Sequence, residues 1–219
     1  MQVNFTYNKD KDIWCLLNKG KSSNNSQNPT KQYEQLVAKY GENPAVENVA
    51  GFIDEYTAEN KINPQKRTTD FQKDWENVSV DFLKRAEVIF GISLSNDVTA
   101  YLTINSRCPY NIQDNFFYVS LQSAQARRTV MHELWHFYTW YGLGADQEEK
   151  LGKQKYNDLK ESLTVLLNVE CEDLLPSGFI DTGYSQHQET REKILVYWKK
   201  NRNIKNLWNY LVEQSLEKG

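Results

Sequence analysis

Two of the three histidines in this chain stand four residues apart, in His132-Glu133-Leu134-Trp135-His136. One conformation makes that spacing chemically useful. Four residues advance an α-helix by just over a turn, so both imidazoles leave one face, about 40° apart. Two imidazoles so placed can share one zinc ion at tetrahedral angles. Glu133 sits one step round the helix, within reach of a water on such an ion. The flanks suit a buried helix: Thr129-Val130-Met131 before and Phe137-Tyr138 after are uncharged, and no proline or glycine intervenes before Gly142. Val130, Leu134, Phe137 and Tyr141 form an apolar stripe at helical spacing.

The rest of the chain must build a frame around that helix. Residues 2–7 and 13–17 read as two short strands joined by a charged turn, and 19–29 as a loop without apolar residues. Helical patterns cover 30–40 and 44–59. A longer one covers 70–90, where Phe71, Trp75, Val78, Phe82, Ala86 and Ile89 recur every three or four residues. Thr69 with Gln72 resembles a capping box there, and Gly91 is a natural stop. Residues 98–104 and 116–121 read as strands separated by a turn region. A charged loop is expected over 146–155, helices over 156–169, 189–199 and 204–216, and a break over 176–183.

The expectation is an α+β fold. A small mixed sheet and a backing helix precede the histidine helix, and a helical C-terminal lobe follows. Residues 1–219 form one unit, with a lobe over 1–142 that ends in the histidine helix and a second over 143–219. Six tryptophans and thirteen tyrosines can fill its core.

Net charge is −3 and the isoelectric point is near 5.7, so no nucleic-acid partner is expected. No apolar run is long enough to span a membrane. The first residues, Met1-Gln2-Val3-Asn4-Phe5, lack the pattern of a secretory signal. Cys15, Cys108 and Cys171 are odd in number and far apart, which suits reduced thiols and a cytoplasmic location.

A catalytic zinc ordinarily takes three protein ligands. The metzincin class needs glycine and histidine three and six residues after the second histidine. Here those places hold Thr139 and Gly142, which excludes that class. Glu161 opens a helix that is apolar nearly all round from Leu163 to Leu167, with Asn168 on its own face. Asp158, Glu148 and Glu149 are rival carboxylates, the last two in the charged loop.

With His-Glu-x-x-His followed by a glutamate helix, residues 70–170 resemble the gluzincin metallopeptidases, and in compactness the minigluzincins. The resemblance implies a zincin-like fold, Zn2+ as cofactor, and His132, His136 and Glu161 as its ligands. It implies Glu133 as general base and a peptide or protein as substrate. The thermolysin-like pattern has an aspartate four residues after the ligand glutamate. This chain has Val165 there, which leaves the partner of His132 unassigned. The apolar glutamate helix is also similar to that of ImmA/IrrE-like peptidases.

For the oxyanion donor the candidates are Tyr184 and His187, with Arg191 on the same helical face. The substrate is expected to lie along an edge strand at 116–121. Two other readings stay open: a zinc-stabilised binding or regulatory module without turnover, and a peptidase masked by its C-terminal helices.

Overall fold

The computed structural model describes residues 1–21, 28–144 and 146–217. Part of the expected loop over 19–29 lies outside the described residues. The fold is α+β, mostly helical, with one mixed four-stranded sheet. Contacts divide the chain into two units, residues 1–75 with 96–126 and residues 76–95 with 127–219.

The first unit holds the sheet. β1 (Val3–Tyr7), β2 (Val98–Thr103) and β4 (Phe116–Ser120) run parallel, and the two-residue β3 (Tyr110–Asn111) pairs antiparallel with β4, in the order β1-β2-β4-β3. Phe5 faces Ala100, and Ala100 faces Phe117, across the ladder. Val3, Phe5, Val98, Ala100, Leu102, Phe117 and Val119 are buried. β4 reads as a nearly continuous apolar run, as parallel strands covered on both faces do, whereas β2 alternates buried and half-buried residues over Val98–Tyr101.

Two expectations fail here. Residues 13–17 are not a strand; they belong to α1 (Lys9–Lys19). Asn8 caps this helix by accepting from the Lys11 N–H at 3.0 Å, and Asp10 and Asp12 sit at its positive end. Buried Asp12, Ile13, Cys15 and Leu16 follow helical spacing. A short apolar run cannot distinguish the two structures, and the cap decided it. The charged turn is in fact its first turn. Nor is 116–121 an open edge. β2 lies on one side of β4, and on the other β3 pairs with Phe116 and Phe117 while the Tyr118 N–H donates to the Pro109 carbonyl at 2.9 Å. A substrate strand has no free ladder there.

α2 (Lys31–Tyr40) and α3 (Val46–Glu59) complete this unit with the first turns of α4 (Pro64–Phe90). α4 begins earlier than its apolar rhythm. Asn63 accepts from the Lys66 N–H at 2.9 Å and Pro64 takes the first helical position. The supposed capping box does not form. The Thr69 hydroxyl donates to the Gln65 carbonyl, and Gln72 bonds the Phe5 N–H and Val3 carbonyl, covering the outer side of β1.

The second unit is helical. It contains the rest of α4, then α5 (Ala126–Leu143, from Arg127 onward), α6 (Asp146–Leu151), α7 (Lys153–Leu163), α8 (Leu167–Glu170), α9 (Gln188–Lys200) and α10 (Ile204–Glu217). The motif helix therefore groups with the helices after it and not, as the boundary at 142 had it, with the strands before it. The 146–155 segment is not a loop: α6 and the start of α7 occupy it, with Asp146, Glu148 and Glu149 in the first turn of α6. The expected 156–169 helix is interrupted by a tight 3-10 turn at 164–166.

α4 does back α5. Phe90 meets Trp135 edge-on at 5.1 Å and stacks on Tyr138 at 5.6 Å, and Phe82 lies 6.3 Å from Trp135. Gly91, at φ 69°, ends α4, its N–H bonded to the Glu87 carbonyl. Gly142 admits the close approach: a Cβ there would sit 3.3 Å from the Phe90 side chain. α5 is buried on every side over Val130–Met131 and Leu134–Tyr138, so its burial is broader than the stripe. Tyr141, expected in that stripe, is exposed. Cys15, Cys108 and Cys171 are free thiols. Among the described residues no helix is long and apolar enough to cross a membrane.

Candidate metal centre

α5 presents His132 and His136 from one face, with ring centroids 4.5 Å apart. Their Nε2 atoms stand 3.0 Å from each other. α7 brings Glu161 to the same point, with Oε2 at 3.4 Å from His132 Nε2 and Oε1 at 3.2 Å from His136 Nε2. The three residues offer one ligand atom each within a sphere fit for one metal ion. Zinc bonds of about 2.0–2.2 Å put neighbouring donors roughly 3.3–3.6 Å apart on a tetrahedron. The observed separations are close to that. Asp158, Glu148 and Glu149 are not members of the group.

The centre is buried but not sealed. His136 is 1% exposed and His132 and Glu161 are partly covered. Glu133, next along α5, is 7% exposed, and its Oε2 has no hydrogen-bond partner. A carboxylate oxygen without water or partner is costly to bury. Burial pushes the Glu133 carboxyl up, against the pull of His132 and His136. A buried carboxylate of raised basicity beside a group that could hold a metal is suited to taking a proton.

Asp181 supplies the partner that sequence reasoning left unassigned. Its Oδ2 accepts from His132 Nδ1–H at 2.7 Å. That bond fixes a proton on Nδ1, so Nε2 is the nitrogen that faces the common point and, once it gives up its own proton, can ligate a metal. Asp181 is itself held on every side. Oδ1 accepts from the Thr164 hydroxyl at 2.9 Å and from Arg191 at 3.0 Å. Its N–H donates to Asn168 Oδ1 and its carbonyl accepts from Asn168 Nδ2, both at 2.7 Å, and Arg191 donates to the same carbonyl. Gly183 is needed for this: at φ 60° it stands where a Cβ would come within 2.6 Å of the Arg191 guanidinium.

These contacts shape the charges. Burial pushes Asp181 up, but the hydrogen bond and charge of His132 and the charge of Arg191 overcome it and hold the carboxyl at about 2. For His132 burial acts downward, and the bonds to Asp181 and Glu161 override it, raising the imidazole to about 10. Burial likewise opposes ionisation of Glu161, yet His136 and His132 keep it well below the usual carboxylate range.

Thr164 and Asn168 lie three and seven residues after Glu161, so one face of the α7–α8 segment carries both Glu161 and the supports of Asp181. Asn168 was legible as sharing the Glu161 face; Asp181 was not. It sits in the aperiodic 176–183 break, where only an acid among apolar neighbours, with Arg191 following, marked it. His187 and Tyr184 form a separate arrangement. His187 is buried, its Nε2 is 3.0 Å from Asp158 Oδ1, and its ring meets Tyr184 edge-on at 5.6 Å. Tyr184 is half exposed. Arg191, expected beside His187, instead serves Asp181.

No protein-family model, no curated protein and no solved structure matches this chain.

Proposed function

We propose that the protein is a zinc-dependent peptidase of gluzincin type, with a zincin-like arrangement of α4, α5 and α7. His132, His136 and Glu161 would hold Zn2+. The single observation that carries the reading is the convergence of those three side chains beside Glu133, whose Oε2 is buried and unpartnered. A purely structural site closes with a fourth protein ligand and has no need of a neighbouring base.

Zinc bound there would supply Lewis acidity, making water nucleophilic near neutral pH and polarising a peptide carbonyl. The protein's part follows from the geometry. Glu133 accepts the proton of the attacking water at its buried carboxylate and returns it to the leaving amine. Asp181 keeps His132 in the ligating tautomer. His187, held by Asp158, and Tyr184 remain the candidates for the oxyanion side, where a donor must meet the developing charge. The substrate would be an unfolded peptide or a protein segment. Three free thiols support a cytoplasmic setting. Arg191 of α9 is built into the support of Asp181, which favours reading the C-terminal helices as part of the centre over a detachable cover.

The test is zinc content together with cleavage of an unstructured protein by the full-length chain. About one zinc per chain and cleavage are expected. Glu133→Gln should abolish cleavage and keep the zinc, because the amide is nearly isosteric but cannot accept the proton. Loss of zinc in that variant, or undiminished cleavage, would refute the role of Glu133.

A further inference from the structure

The centre carries a buried lysine of its own. Lys160 is 2% exposed, and its Nζ lies 3.6 Å from Glu161 Oε1, the oxygen that also faces His136. Lysine is almost never fully buried unless its charge is compensated. Three carboxylates gather here, Glu133, Glu161 and Asp181, with Arg191, Lys160 and, in the metal-free protein, the protonated His132. Arg191 is engaged with Asp181. Lys160 stands against the ligand carboxylate, where burial pushes its amine down and the Glu161 charge and hydrogen bond pull it back up.

That placement has opposite consequences with and without metal. In the metal-free protein an ammonium beside Glu161 offsets the cost of a buried carboxylate and keeps it turned to the two imidazoles. Once a divalent cation shares the same carboxylate, two positive charges stand close together in a medium that screens them poorly. We propose that Lys160 is an internal stand-in cation: it preserves the ligand geometry in the metal-free protein and weakens the hold on the metal, setting affinity below what the three ligands alone would give. The inference rests on the reading of His132, His136 and Glu161 as metal ligands.

The experiment compares full-length wild type with Lys160→Met and Lys160→Arg. Zinc affinity is read by competition with a chromophoric chelator, and melting temperature is read metal-free and zinc-saturated. The Met variant should bind zinc at least tenfold more tightly, its metal-free form should melt lower than wild type, and zinc should stabilise it by a wider margin. The Arg variant, which keeps the charge, should stay near wild type in affinity. A lysine that served packing alone would lower both melting temperatures together and leave zinc affinity unchanged; that result, or weaker binding, overturns the proposal. If the Met variant does not fold, Lys160→Gln is judged by the same criteria. A wild-type chain that takes up no zinc refutes the ligand assignment and this inference together, whereas a zinc-binding wild type with an unaltered Met variant refutes this inference alone.

Discussion

Asp181→Asn isolates one proton in the support of the centre. The Oδ1 position of Asp181 faces two donors, the Thr164 hydroxyl and the Arg191 guanidinium, at 2.9 and 3.0 Å. An asparagine must therefore keep its oxygen there, and its NH2 is forced toward His132. That NH2 can only donate, so His132 Nδ1 must become the acceptor. The ring proton then moves to Nε2, the atom 3.0 Å from its His136 counterpart, where it blocks the lone pair a metal needs. The backbone bonds to Asn168 are untouched, so the segment stays in place. Zinc affinity should fall about 10–100-fold, the usual cost of losing an outer partner of a ligating histidine, or roughly 1.4–2.8 kcal/mol. The assay is competition with a chromophoric chelator, with the melting temperature of the metal-free protein measured alongside. Zinc binding within about threefold of wild type, in a folded variant, would refute the tautomer argument. Asp181→Ala should be worse for folding, because it strands the buried Arg191 charge; breaking such a pair costs about 3–5 kcal/mol.

Glu161→Ala should weaken zinc binding by more than the roughly 10–100-fold expected for a supporting residue, while Asp158→Ala, which removes the bonds to His187 and Gln154, should change it little; equal losses in the two variants would place the third ligand elsewhere. Asp12 gives a pH test in the sheet unit. Burial pushes its carboxyl from 3.8 up to about 6, against the bonds from Thr103 and Ile104. Because the folded chain holds that proton more tightly than the unfolded chain, stability is fully present below pH 4 and is lost as pH rises through 6, by roughly 3 kcal/mol from this group. Asp12→Asn cannot ionise, so its denaturant-unfolding stability should vary less between pH 4 and 7 than that of wild type; parallel profiles would refute the assignment.

The histidine pair determined the most by itself. Its spacing, with uncharged flanks, required a buried helix, and that helix could be read without any neighbour because i and i+4 are a property of the helix alone. The same holds for α2 and α3 and for the body of α4, whose apolar residues recur at helical spacing. Glu161 was legible as a candidate, since a carboxylate at the mouth of an apolar helix needs a partner, but its chain neighbours did not distinguish it from Asp158. Tertiary structure decided that: only Glu161 points where both imidazoles converge. Tertiary structure also decided α1, where a cap and a buried acid outweighed a strand-like run, and β4, whose open side is taken by residues 109–111. Above all it decided Asp181. A hydrogen bond from an aperiodic loop to a helix far away in sequence leaves no rhythm in the chain. Its proof is the set of six bonds around one aspartate, to His132, Thr164, Asn168 and Arg191, and those distances exist only once the chain has folded.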